Sequence, residues 1–484
     1  MTTRPTDIGM TAILPESILV SAACLLFILV PFVPKEKRAW LGYFSIGALV
    51  LTALSLISLW GEHLSAFSGM IVLDSYALFF KMVFLIIALL VILISIRYLQ
   101  IERVHLGEYY GLVLFATVGM MLLASATDLL SFYLSLELMS MSFYVLAAFM
   151  RKDPKSVEAG IKYFLIGTFT SGLILYGIAF LYGASGTTNL KGIQSLLSPQ
   201  SLHASPLLLL GLVLLIAGLG FKISAVPFHM WAPDVYEGAP TTISAFLSTG
   251  SKAATFAAML RILISGLSFG YGAWWQILWP IAVLTMTVGN IAALVQTNVK
   301  RLLAYSSIAH AGYILIGIIA ASKIGMASVL VHLVAYVFMT FGAFTMVVLL
   351  CKTNSRGDQV GDFKGLARNH PAVAAAFVLF ALSLVGIPPT AGFVGKLFLF
   401  SAAIQGGFYW LVIIAVLNSA ISLYYYFKII RAMYMEEPQG KTSPLSFSRP
   451  LIVALGIVSF ATLFIGLFPE PLIRAAIQSI QVFL

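Results

Sequence analysis

Nine ionisable side chains lie inside long apolar runs of this 484-residue sequence: Lys81, Glu137, Lys162, Lys222, Lys252, Arg261, His310, His332 and Lys396. A charge at bilayer depth costs on the order of 3 kcal/mol even on a lenient insertion scale, so groups kept there are candidates for chemistry. Lysine, glutamate and histidine at such depth share one reaction, proton exchange. Loss of water favours the neutral amine and the neutral carboxyl, and an adjacent opposite charge restores the ionised forms. A lysine paired with a carboxylate therefore holds a proton that separation of the pair releases.

Depth sorts the nine. Glu137 lies nine residues beyond Asp128, the expected start of its run, which places it ~14 Å deep, near the midplane of a ~30 Å core. Lys252 lies ten residues into its run and His310 eight, also at mid-depth. Lys222 stands in "GLGFKISAVPFHMW", ~24 Å along an ideal helix from Pro206. It reaches the core only if the helix breaks or the span begins later, and Gly218, Gly220 and Pro227 supply the expected break. Lys396 closes "GIPPTAGFVGK", where Pro388 and Pro389 remove two backbone donors. Both lysines have an alternative as end-of-helix groups reaching the headgroups. Glu158 and Lys162 are four apart, acid first, and share a helix face near the inner end of their run; they read as an interfacial ion pair or as a path element. Lys81 and Arg261 read as snorkelling or lipid-contacting groups, and His332 as a packing residue.

The elements that must position these groups are transmembrane helices. Sixty per cent of the residues are hydrophobic and 10% charged, against about 25% charged in globular chains. Apolar runs of spanning length recur near 13–33, 40–60, 74–96, 109–126, 128–149, 160–184, 206–225, 242–264, 274–296, 302–322, 326–350, 371–405, 408–433 and 449–468. The expected fold class is therefore an all-α polytopic membrane protein, a single transmembrane domain over 1–484 with fourteen helices. The first run carries Pro15 and Glu16 and ends at "KEKR", unlike a cleaved leader. Cys24 and Cys351 lie in different runs with no metal spacing and read as buried thiols.

The net charge of +10 is a topology signal. Loops on one side, from Lys35 and Lys37 to Lys441 and Arg449, hold eighteen Lys and Arg residues, and the other side holds four: Arg4, Lys191, Lys323 and Arg474. This positive-inside bias predicts both termini on the non-cytoplasmic side and gives no support to nucleic-acid binding. His310 lies 173 residues after Glu137, and Lys396 lies 174 after Lys222. Each pair links runs five apart. Five is odd, so a second unit would insert upside down, and paired broken helices in two such halves point to an ion site. The expected division is 13–96 for helices 1–3, 109–264 for a first repeat, 274–433 for a second and 449–484 for a final helix and tail.

Other functions fit less well. A haem protein needs axial ligands on facing helices, and only His310 and His332 lie within runs. A purely structural anchor would not keep so many buried charges. A solute carrier shares the broken helices, but its cavity calls for polar selectivity groups, whereas this chain is richer in buried lysines.

The stretches "SLELMSMSFYVL", "KSVEAGIKYFLIG", "GLGFKISAVPFHMWAPDVYEGAPTTISAFLSTGSKAA", "QTNVKRLLAYSSIAHAGYIL", "GIPPTAGFVGKLFLF" and "SLYYYFKIIRAMY", within about 110–435, resemble the antiporter-like membrane subunits of respiratory complex I, most closely the subunit N branch. The resemblance implies fourteen helices with inverted five-helix repeats over helices 4–8 and 9–13, and breaks in helices 7 and 12. It implies a proton path through Glu137, Lys222, Lys252, His310 and Lys396, with Lys162 matching a further lysine. A lysine at 396, where a sister subunit can carry glutamate, favours N over M, and the chain lacks the long C-terminal lateral helix of subunit L. The same resemblance implies no cofactor or metal in this chain. NADH, FMN, iron–sulfur clusters and quinone are expected in partner subunits, and the partners expected are other complex I subunits, especially neighbouring antiporter-like and small membrane ones. The implied location is the bacterial inner membrane, or an organellar membrane. A subunit of a multisubunit sodium/proton antiporter is the alternative.

Overall fold

A computed structural model describes residues 9–34, 37–102, 106–200, 205–351, 357–437, 445 and 447–483. The loop charges Arg4, Lys35, Arg103, Lys352, Arg356 and Lys441 lie outside the described residues. Among those described, eleven helices are long and apolar enough to cross a membrane, and three shorter apolar helices accompany them. Lipid offers the backbone no hydrogen-bond partner, so helices that satisfy themselves are the expected solution.

The chain begins with α1 (Leu14–Leu29) and α2 (Ala39–Ser58), then a hairpin of β1 (Leu64–Ala66) and β2 (Ile71–Leu73), paired antiparallel with Ala66 opposite Ile71. There follow α3 (Ser75–Ile101), α4 (Glu108–Ser125), α5 (Leu129–Ala147) and α6 (Pro154–Ser185). The starts are written in the sequence. Asp74 accepts from the Ala77 amide at the head of α3, Asp128 from Leu130 at α5, and Asp153 from Lys155 at α6, where Pro154 takes the first helical position. The connection near 185–205, expected as a plain loop, contains a short helix, α7 (Leu190–Leu196), capped by Asn189.

Next comes α8 (Pro206–Lys222), a non-helical stretch, and α9 (Trp231–Gly238). Then α10 (Thr241–Phe246) runs through a π-type turn, Leu247–Ser251, into α11 (Lys252–Arg261). The second half holds α12 (Tyr271–Leu294), α13 (Val299–Ala320), α14 (Lys323–Leu350) and the one-turn α15 (Leu366–Asn369). The long 371–405 run is two helices, α16 (Pro371–Val385) and α17 (Ala391–Gln405), separated at Gly386–Thr390 as the prolines require. The chain finishes with α18 (Tyr409–Met435), α19 (Arg449–Leu467) and α20 (Glu470–Ser479). The region expected as a tail is therefore partly helical, and α20 packs on α3 and α14.

Burial identifies the axis. The apolar stretch of α14 is wholly covered and that of α13 nearly so, whereas α19 is mostly exposed. Around α13 and α14 pack α10, α17 and α18, with Lys396 buried on α17, whereas Lys222 at the end of α8 is buried against α5.

Candidate proton-transfer chain

Lys222 ends α8, and the break falls just after it: Ser224 has φ 59° and helix resumes only at Trp231. The glycines play a different part from the one expected. α8 stays helical through Gly218 and Gly220, and a side chain at Gly218 would meet Ile174, so this glycine lets α6 approach. Lys222 is 2% exposed, and its ammonium is directed at α5. Its Nζ donates to Ser140 Oγ at 2.7 Å and lies 3.4 Å from the Tyr144 hydroxyl, both on α5.

Glu137 occupies the same helix, one turn before Ser140, yet no ion pair joins it to Lys222. Its carboxylate accepts from Ser171 of α6 instead. Glu137 is half-buried and sits on a stripe of α5 whose neighbours Leu134 and Met141 are exposed. The two groups are therefore not in contact, and the carboxylate faces Ser171 of α6.

Lys252, also 2% exposed, follows the π-type turn of the α10–α11 helix; such turns often mark functional positions. Its Nζ donates to the Ser307 carbonyl at 2.8 Å and to Ser307 Oγ at 2.5 Å. Tyr336 of α14 donates to the same hydroxyl at 2.7 Å. Beside Tyr336 lies His310, with ring centroids 5.2 Å apart. His310 Nδ1 stands 3.4 Å from His332 Nε2, their rings stacked at 5.6 Å.

His332, expected as a packing residue, is thus also half of a buried histidine pair, and its Nδ1 has no hydrogen-bond partner. A depth count would have found it. His310 is ten residues before the end of α13, and His332 is nine after the start of α14, so the two antiparallel helices bring them level.

Lys396 lies in the first turns of α17 and is 4% exposed. Its Nζ donates to the Leu384 and Val385 carbonyls at 3.2 and 2.7 Å and to Ser419 Oγ at 2.6 Å, and sits 4.5 Å from the centre of the Tyr313 ring. Those carbonyls are the last of α16, freed by the break at Gly386. The negative end of a helix thus receives the ammonium. Gly386 has φ +92°, and a Cβ there would come within 2.9 Å of Lys396 Cδ.

Lys162 belongs elsewhere. It is half-exposed and pairs with Glu158 at 2.6 Å and Asp234 at 3.1 Å. Arg301 meets Asp234 at 2.7 Å and Glu237 at 3.2 Å, and Lys155 meets Glu237 at 3.1 Å. These charges tie α9 to α6 and α13 around a cleft of ≈ 190 Å³ at the basic end of the bundle. Partial burial alone would push the Asp234 and Glu237 carboxyls up. Hydrogen bonds from Arg301 and Lys162 to Asp234, and from Lys155 and Arg301 to Glu237, outweigh it and hold both below their ordinary values.

Two expected snorkelling groups are instead deeply paired. Lys81 is fully buried and meets Glu16 of α1 at 2.7 Å. Arg261 makes a bidentate pair with Asp74, 2.9 Å on each arm, donates to the Ala124 carbonyl, and lies over the Tyr76 ring. Among the described residues no cluster of metal-ligating groups occurs. Cys351 is buried as expected, but Cys24 is exposed on α1.

Three buried ammonium groups, two histidines and a carboxylate are thus the groups of this structure that can hold and release protons. The family described as "NADH:quinone oxidoreductase/Mrp antiporter, TM" matches residues 126–422. NADH-quinone oxidoreductase subunit N of Trichlorobacter lovleyi is 45% identical over 474 residues, covering 98% of this chain and 97% of that one. A chain of respiratory complex I from Thermus thermophilus superposes with a TM-score of 0.80 at 33% identity, over 95% of this chain and 98% of the other. A chain of the Mrp complex from Dietzia shares the fold, with a TM-score of 0.79 at 21% identity over 99% of this chain and 97% of that one. The chain belongs to the NADH:quinone oxidoreductase/Mrp antiporter family of membrane subunits, within its subunit N branch.

Proposed function

We propose that this protein is the proton-translocating membrane subunit N of an NADH-quinone oxidoreductase. Full-length identity to subunit N relatives supports it over the sodium/proton antiporter reading, for which the Mrp likeness supplies the fold alone. NADH, flavin, iron–sulfur clusters and quinone belong to partner subunits in this reading, and this chain performs no redox step. Its partners are other subunits of that complex, including neighbouring antiporter-like and small membrane subunits, in a bacterial inner membrane.

The eleven long helices, the span 206–225 with its break after Lys222, the broken span 371–405 and the helix through 241–266 make fourteen crossings. The count is even, so both termini share one side, and the positive-inside bias makes that side non-cytoplasmic. Repeats over 109–264 and 274–433 each carry one break, after Lys222 and before Lys396. Protons enter near Lys222 from the basic, cytoplasmic end, pass Lys252 and the His310–His332 pair, and leave by Lys396. Glu137 tunes Lys222 by approach and withdrawal, and Lys162 orders the entrance without carrying the proton.

The observation that carries this reading is the state of the three lysines. Each is at most 4% exposed and is held by neutral oxygens with no carboxylate in contact. A permanent charge would be poorly compensated there, whereas a proton that comes and goes is served by acceptors on every side. The test is the whole complex in proteoliposomes carrying Lys222→Ala or Lys252→Ala, with proton uptake and quinone reduction followed together. Both variants should lose coupled pumping by tenfold or more; normal pumping in both would remove the assignment.

A further inference from the structure

Lys222 and Lys252 each have acceptors, but neither touches the other's. Four tyrosines fill the interval. The Tyr144 ring, beside Lys222, meets Tyr163 edge-on at 4.7 Å. Tyr163 stacks on Trp231 at 4.7 Å, and its hydroxyl lies beside Ser251, the residue before Lys252. Trp231 meets Tyr236 edge-on at 6.2 Å. The Tyr236 hydroxyl faces Ser307 and Tyr336, the two groups that hold and flank the Lys252 ammonium.

Tyr236 is wholly buried and its hydroxyl makes no hydrogen bond. Buried tyrosines normally find a partner, and a missing one is a standing penalty. The residue sits on α9, whose other residues Asp234 and Glu237 are tied by ion pairs to α6 and α13. The helix that aims this hydroxyl toward Ser307 is thus anchored from the basic end of the bundle.

We propose that the Tyr236 hydroxyl is the closing link of a relay that passes a proton from Lys222 to Lys252, an inference that rests on the proton path above. The Lys222 ammonium gives one proton to the Tyr144 oxygen as that hydroxyl releases its own toward Tyr163. The exchange repeats through Tyr163 and Tyr236, with single waters joining hydroxyls too distant to touch. Tyr236 then donates to Ser307 Oγ as Ser307 gives its proton to the free amine of Lys252. Every hydroxyl gains one proton and loses one, so the net change is a neutral Lys222 and a charged Lys252.

The test compares Tyr236→Phe with Lys252→Ala in the intact complex in proteoliposomes, reading protons moved per quinone reduced, the H2O/D2O rate ratio and thermal stability. Phenylalanine keeps the ring and removes only an unpartnered hydroxyl, so the assembly should melt as before while coupled pumping falls at least fivefold and the isotope ratio changes. Tyr163→Phe should give the same signature. Unchanged pumping and isotope ratio in both Phe variants, with Lys252→Ala defective, would overturn the relay and leave the proton path standing. Normal pumping in Lys252→Ala as well would remove the path itself.

Discussion

Gly386→Ala is the most discriminating perturbation of the Lys396 site. A non-glycine residue in left-handed geometry costs about 1–2 kcal/mol, and Gly386 has φ +92°. The new methyl would also lie 2.9 Å from Lys396 Cδ, in the middle of the stem, so relief of the clash drags Nζ off its carbonyls. Losing one hydrogen bond from a charged donor costs about 1.5–3 kcal/mol. Gly407 provides the control: its φ is +80°, yet a methyl there meets nothing within 4 Å. Gly407→Ala therefore carries the backbone term alone. The difference between the two variants, about 1.5–3 kcal/mol, corresponds to roughly a tenfold to hundredfold loss of correctly held ammonium. In proteoliposomes Gly386→Ala should cut coupled pumping by about that factor, and Gly407→Ala should leave it near wild type. Equal behaviour of the two would show that the stem contact and the carbonyl cradle do not govern Lys396.

Three further outcomes are expected. Glu16→Gln strands the Lys81 ammonium and should destabilise the protein by about 3–5 kcal/mol, read as an early thermal transition in detergent; Glu16→Gln combined with Lys81→Met should recover most of the loss. His332→Phe keeps a ring against His310 but removes its nitrogens, and should lower pumping at least fivefold without loss of assembly; unchanged pumping would return His332 to a packing role. Asp234 and Glu237 are held below their ordinary values of 3.8 and 4.5, so their ion pairs contribute fully above that range and are lost as pH falls through the lower native values. Melting measured against pH should show this contribution flat from pH 5 to 8 and fading below about 4, and Asp234→Asn should remove part of the acid dependence.

Position along each helix was legible in the sequence; direction was not. Counting residues placed Glu137, Lys252 and His310 near the middle of their helices, and the prolines announced the break before Lys396. The face of α5 was hidden because a transmembrane helix is apolar all round, so no polar stripe marks which side of it meets neighbours. That is why nothing in the sequence showed that Glu137 shares a stripe with Leu134 and Met141, which are exposed. Lys81 and Arg261 were misjudged because their partners, Glu16 and Asp74, lie on or at the head of other helices, and only tertiary packing brings them within 3 Å. Gly218 looked like a helix breaker because close helix contact and loss of helix leave the same letter. His332 was within reach of arithmetic, had its depth been measured from the connection it shares with α13.

The Lys396 cradle also sets a hydrogen inventory. The ammonium owns three N–H groups and meets three acceptors, two carbonyls and one hydroxyl. A carbonyl has no hydrogen to surrender, whereas Ser419 has one and can turn it either way, being 3.4 Å from Val385 O as well. When the amine is neutral, that rotor can reverse and fill the vacated lone pair, so both ionisation states are accommodated without dismantling the fold. On the proposed path, a hydrogen ion leaving Lys396 would pass through one swivelling oxygen, that of Ser419.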